Sequence, residues 1–191
     1  MNAQEAFFAF YTLLLGLGMA GLLTGFAGVV RRHRTREIGT VGAMLGVLII
    51  FEFLTAWSGA ARFVTVDDAR VAALLLPFLT GACYVLASVL LFPDFGEFDE
   101  IGSVGDYIRG QVRTLALLLF AANALLIALE FPDVWESYRH DPNYLTFYLP
   151  YNGGILACYA VMIAAPRRRI AALAMVALLL LYTGIFAIRR V

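Results

Sequence analysis

Six stretches of the chain, residues 6–30, 38–60, 71–92, 112–131, 145–165 and 170–188, are almost wholly apolar. Each is close to the ~20 residues that an α-helix needs to cross a ~30 Å hydrocarbon core. The expected fold is therefore all-α: a polytopic transmembrane helical bundle of about six spans, forming a single domain over residues 1–191. Composition points the same way. Hydrophobic residues make up 62% of the chain and charged residues 15%, against about 45–50% and about 25% in an ordinary soluble domain. A water-soluble bundle has no place to hide that much apolar surface.

The interruptions have local causes. RRHRTRE follows the first run, FPDFGEFDE the third, FPD the fourth and PRRR the fifth. Proline disfavours continuation of a helix, and clustered guanidinium groups require water or headgroups. Orientation follows from the same loops. Arg31, Arg32, Arg34, Arg36, Arg109, Arg113, Arg167, Arg168 and Arg169 fall on one side, against Arg62, Arg70, Arg139, Arg189 and Arg190 on the other. By the excess of basic residues in cytoplasmic loops, the first group is expected to be cytoplasmic and the N-terminus periplasmic. The opening MNAQE lacks the positive n-region of a cleavable signal peptide, so the first run is expected to remain as a span.

All fourteen basic residues are Arg. The absence of Lys removes a retinal Schiff base, a lysine-bearing phosphate loop and a pyridoxal aldimine together. His33 and His140 both fall in loops, which leaves no paired haem ligation within the bilayer and no His-rich metal site. Ser88 has no His at its depth. Asp94, Glu97, Asp99 and Glu100 form an acidic loop whose charge would attract a divalent cation but which lacks a calcium-loop pattern, and it reads as a solvated loop balancing Arg109 and Arg113. Neither a cofactor, a metal nor a nucleic-acid partner is expected, and the balance leans away from an enzyme. Cys83 and Cys158 lie in the middle of apolar runs and read as reduced packing residues.

The first run carries Gly21 and Gly25 at the spacing that lets two helix backbones approach closely. The pair serves packing within the monomer or a homo-oligomer face. Pro77 is expected to kink the third helix, whereas Pro150 falls in the first turns of the fifth, where proline is tolerated.

An internal echo stands out. EFLTAW at 52–57 matches EFPDVW at 130–135 in Glu, Phe and Trp, and each is followed by an Arg, Arg62 or Arg139. LPFLTG at 76–81 then matches LPYNGG at 149–154, and each later meets a Cys-Tyr pair, Cys83–Tyr84 or Cys158–Tyr159. The pattern suggests a duplicated helical hairpin, helices 2–3 and 4–5, an arrangement that transport folds exploit. Trp57 and Trp135 suit the aromatic belt at the outer interface, which sets Glu52 one to two turns deeper, inside the apolar zone. An intramembrane carboxylate must be protonated, paired or facing a wet cavity, and by default it marks a functional site; the competing role is a structural hydrogen bond to a neighbouring helix. Glu130 is weaker, because Phe131-Pro132 is expected to end its helix near the headgroups. Asn123 and Asn152 add polar groups at depth. Phe51, Phe53, Tyr84, Tyr148 and Tyr151 supply aromatic walls for a pocket in the outer half. The candidate ligand-binding set is Glu52, Arg62, Glu130, Arg139, Trp57, Trp135, Tyr84 and Asn152.

The segments GLLTGFAGVVRRHRTR, LASVLLFPDF and ALLLLYTGIF, with the acidic loop leading to Tyr107, carry a resemblance over the whole chain. It resembles a group of small bacterial six-helix integral membrane proteins, with LLFPD at the end of the third helix the sharpest shared piece. The resemblance implies six helices in a bacterial inner membrane and supplies no activity or cofactor. Three readings are then open: a protein in contact with membrane lipid that binds or passes a small apolar or weakly polar solute through an outer-half cavity; an accessory or sensory subunit docking a partner through the glycine-rich first helix; and a membrane enzyme.

Overall fold

The computed structural model describes residues 3–32, 38–60, 71–93, 103–141, 144–165 and 167–188. They form six helices in chain order, α1 (Ala3–Arg31), α2 (Gly39–Ala60), α3 (Val71–Leu90), α4 (Val104–His140), α5 (Tyr144–Ala164) and α6 (Arg168–Ile188), with no strand among the described residues. Four of them, α1, α2, α4 and α5, are long and apolar enough to cross a bilayer; the described side chains of α3 and α6 add shorter apolar lengths, Leu75–Leu90 and Arg169–Gly184.

The helices alternate in direction, as side-chain register shows. Gly81 of α3 lies against Tyr11 of α1, Gly21 against Val89, and Gly25 against Phe92, so α1 and α3 run parallel. Gly42 of α2 meets Ile108 of α4, and Gly59 meets Glu130, so α2 and α4 also run parallel. One end of the bundle therefore gathers Arg31, Arg32, Arg109, Arg113, Arg167 and Arg169. α2 is the most buried of the four long apolar helices and packs on α1, α3, α4 and α6. The two helix pairs of the sequence echo pack differently: α4 lies along α5, whereas α2 meets α3 over only a few residues, because α3 packs chiefly on α1 and α4.

The outer surface is apolar. Phe147 is 82% exposed and Leu13 70%, with Leu17, Leu173 and Leu180 similarly placed. Water does not tolerate such a continuous apolar coat on a monomer, and lipid chains do. At the end opposite the arginines, Phe131 stacks on Trp135 and Trp135 leans on Tyr138, with the Arg139 guanidinium 5.8 Å above the Trp135 ring. Amphipathic rings of this kind concentrate at the headgroup level. The apolar coat and the aromatic end define the fold as that of a membrane-embedded helical protein.

Two sequence expectations are revised. Helix α4 is 37 residues long, about 55 Å, and runs well beyond 112–131 at both ends. The polar residues Asp106, Arg109, Glu136 and Arg139 end the apolar run without ending the helix, because helical propensity does not depend on the bilayer. Pro132, expected to terminate α4, lies within it on its exposed side. Pro77 is likewise inside α3 and Pro150 inside α5.

The glycine face of α1 is filled from within the chain. A Cβ on Gly25 would stand 2.2 Å from the Phe92 ring, just past the end of α3, and one on Gly18 would stand 2.5 Å from the tip of the Phe53 ring of α2; the bare backbone of α1 is what these two rings pack against. Gly21 faces Val89 in the same interface.

Candidate functional site

Glu52 is 1% exposed and sits on the inward face of α2, thirteen residues after its first residue and eight before its last. At 1.5 Å per residue that is about 20 Å from one end and about 12 Å from the other. The side chain is surrounded by hydrogen-bond donors from four other helices. Tyr84 of α3 donates its hydroxyl to Oε2 at 3.0 Å. Tyr182 of α6 donates to Oε1 at 2.5 Å, and Tyr159 of α5 donates to the same oxygen. Asn123 of α4 directs its amide nitrogen at both oxygens, 3.0 Å from each, while the same nitrogen donates to the Leu119 carbonyl at 2.9 Å. That last bond to its own helix orients the Asn123 amide toward the carboxylate.

Packing fixes the donors. Tyr84, Tyr159 and Tyr182 have no exposed surface. The Tyr182 ring stacks on Phe51 at 6.1 Å, and the Tyr84 ring lies against Phe53 at 5.5 Å. The two residues flanking Glu52 thus hold two of its partners. Ser88 bonds to the Tyr84 carbonyl within α3. All four partners of Glu52 are uncharged. A carboxylate presents about four lone-pair directions, and three hydroxyls with one amide hydrogen occupy them. Such a fully satisfied group avoids the several-kcal/mol penalty of an unpaired polar group in hydrocarbon.

A second carboxylate lies further toward the aromatic end. Glu130 follows Asn123 by two helical turns on the same face of α4, about 10 Å along the axis. It is half-buried, accepts the Tyr148 hydroxyl of α5 at 3.3 Å, and lies beside Gly59 of α2. Glu130 and Tyr148 thus form a second polar pair, between α4 and α5, on the aromatic-end side of Glu52.

Of the candidate ligand-binding set, the structure brings Tyr84 to Glu52 and leaves the other described members elsewhere. Trp57 and Trp135 are 55% and 48% exposed and point outward, and Arg139 is exposed beside Trp135. Asn152 turns back on its own helix, donating to the Tyr148 carbonyl at 3.1 Å. Arg62 and the acidic loop lie outside the described residues. Cys83 and Cys158 are free thiols, half-buried. Tyr159 and Tyr182 are site residues outside the candidate set, and Asn123, noted in the sequence only as a polar group at depth, is a third. Tyr159 was nonetheless signalled by the Cys-Tyr echo, since Tyr84 and Tyr159 meet at one carboxylate. A cleft of about 270 Å³ opens at the Arg-rich end, and Glu52 is not among its lining residues.

Comparison with models of protein families, with curated proteins and with solved structures finds no match to this chain.

Proposed function

We propose that the protein is a six-span integral protein of a bacterial inner membrane, its Arg-rich end cytoplasmic and its N-terminus periplasmic, that binds or passes a small, weakly polar solute under control of Glu52. The observation that carries this reading is the donor set of Glu52: one mid-depth carboxylate held by neutral groups from α3, α4, α5 and α6. An ionisable group costs too much in hydrocarbon to serve as ordinary filler, and such residues mark solute or proton pathways.

The donor count makes Glu52 a switch. With every lone pair of the ionised carboxylate occupied, a proton on either oxygen turns an acceptor into a donor, and one tyrosine must rotate or withdraw. Each tyrosine belongs to a different helix, so this local change alters the contacts of α2 with its neighbours. Glu130 with Tyr148 is the next polar pair from Glu52 toward the aromatic end. The closed packing around Glu52 corresponds to the occluded arrangement of this device.

Two measurements test the proposal. Infrared difference spectra of the reconstituted protein recorded across a pH titration should contain a carboxylic C=O band that Glu52→Gln abolishes. Swelling of proteoliposomes in uncharged solutes graded from urea to short-chain alcohols should differ at least about tenfold between wild type and Glu52→Gln, the effect of a ~1.4 kcal/mol change in a barrier. Identical swelling rates and an unchanged carboxyl region would remove Glu52 from any transport role.

A further inference from the structure

The cleft at the Arg-rich end combines two chemistries. Its rim carries Arg109 and Arg113 from α4 and Arg167 from the α5–α6 connection, and its floor includes Val41, Met162 and Met175, the two methionines being buried. Arg109 is neutralised by its ion pair with Asp106 one turn earlier. Arg113 donates Nε to the Ile163 carbonyl in the last turn of α5 at 2.7 Å, which tethers the guanidinium at the cleft without spending its charge on a carboxylate among the described residues. Arg167 has no side-chain acceptor among the described residues. Two positive charges therefore face a cleft with an apolar floor.

From this arrangement we infer that the cleft binds the phosphate-bearing headgroup of an anionic phospholipid, with the first part of an acyl chain on the methionine floor. A free inorganic anion satisfies the arginines and gains nothing from Val41, Met162 and Met175. An uncharged apolar solute fills the floor and leaves two guanidinium groups uncompensated. An amphiphile with an anionic head answers both, and a planar, fixed guanidinium such as that of Arg113 is suited to a phosphodiester. The location fits: the helix ends that form the cleft are those at which the apolar coat gives way to arginine, the depth of a lipid headgroup, and basic pockets between spanning helices hold anionic headgroups. The inference rests on the membrane reading above but not on Glu52.

The test is binding to delipidated, purified protein in mixed micelles of a neutral detergent, read as retained lipid and as a rise in unfolding temperature. Phosphatidylglycerol should bind saturably and stabilise the wild type, whereas phosphatidylcholine and inorganic phosphate should do neither. Arg113→Gln and Arg167→Gln should each weaken phosphatidylglycerol binding about fivefold. Arg167→Gln removes no side-chain bond among the described residues, so it keeps the test decisive if Arg113→Gln does not fold. Arg31→Gln, which removes the same charge at the same end outside the cleft, and Glu52→Gln should leave lipid binding unchanged. Unaltered phosphatidylglycerol binding in Arg167→Gln overturns the assignment, as does inorganic phosphate stabilising as well as the lipid. Failure of the membrane reading shows separately, as protein released from membranes by carbonate washing.

Discussion

Tyr84 and Tyr159 donate their hydroxyls to opposite oxygens of one carboxylate, Tyr84 to Oε2 and Tyr159 to Oε1 of Glu52. The two tyrosines come from α3 and α5, and the bonds span 32 and 107 positions of sequence. With Tyr182 and Asn123 they make Glu52 the point at which five of the six helices are joined. Apolar packing between helices in lipid is non-directional, because neighbouring side chains resemble the solvent. A fully satisfied polar knot is directional and sets the rotation of each helix about its axis.

Removing the acceptor should therefore cost more than removing any one donor. Glu52→Leu leaves three hydroxyls and an amide without their acceptor and is expected to lower stability by about 3–5 kcal/mol, at about 1–3 kcal/mol per stranded group with some re-pairing among the tyrosines. Glu52→Gln retains one carbonyl oxygen and is expected to lose about 1–3 kcal/mol. Reversible unfolding in mixed micelles measures both. Equal losses for the two variants would mean that shape, not hydrogen bonding, matters at this position.

Tyr159 and Tyr182 share Oε1, so their contributions should be coupled. Each Tyr→Phe change alone is expected to cost about 1 kcal/mol. The double variant should depart from the sum by at least about 0.5 kcal/mol, because loss of one donor lets the other strengthen. The pair Tyr84 and Tyr182, on different oxygens, should lie closer to additivity. A double-mutant cycle on unfolding free energies decides between these outcomes, and strict additivity for Tyr159 and Tyr182 contradicts a shared acceptor.

The helices were legible because each apolar run is long and bounded by Arg or Pro, and Glu52 was legible because a carboxylate in such a run is costly. The remaining partners were harder to read. Tyr182 and Asn123 lie in segments where tyrosine and asparagine have several ordinary uses, and only the relative rotation of α2, α4 and α6 brings them to Glu52. Trp57, Trp135 and Arg139 share the sequence neighbourhood of the two glutamates, but in helices adjacent positions point about 100° apart. Glu52 thus faces inward while Trp57 faces outward. Helix α4 was underestimated because hydropathy marks the bilayer boundary, not the helix end.

The close approach of α1 to α3 makes a sharp prediction about small residues. A methyl group on Gly25 collides with the Phe92 ring near its base, which cannot swing away as a flexible chain end would. Gly25→Ala is expected to destabilise by about 1–3 kcal/mol through strain in this interface. Gly16, on the same helix, has open space where its Cβ would stand. Gly16→Ala should be neutral or stabilising by up to about 1 kcal/mol, from the better helix propensity of alanine. Thermal unfolding of the two variants side by side tests the register of α1 against α3, and a reversed order would displace it.

Orientation and thiol state can be tested together, because Cys83 and Cys158 are free and only half-buried. Replacing both with Ala should leave folding nearly intact and give a cysteine-free background, since each contributes one small side chain to packing. Single cysteines can then be placed at Gly110 and at Glu136, both exposed and near opposite ends of α4. The excess of arginine at the Gly110 end predicts that this position reacts with an impermeant maleimide only after the inner membrane is opened, while position 136 reacts in intact spheroplasts. Helix α4 is continuous between the two sites and too long for both to lie on one side of a ~30 Å hydrocarbon core while its apolar middle remains within it. Labelling of position 110 alone in intact spheroplasts would invert the topology and move the Arg-lined cleft to the periplasmic face. Labelling of both would show that α4 does not cross the membrane.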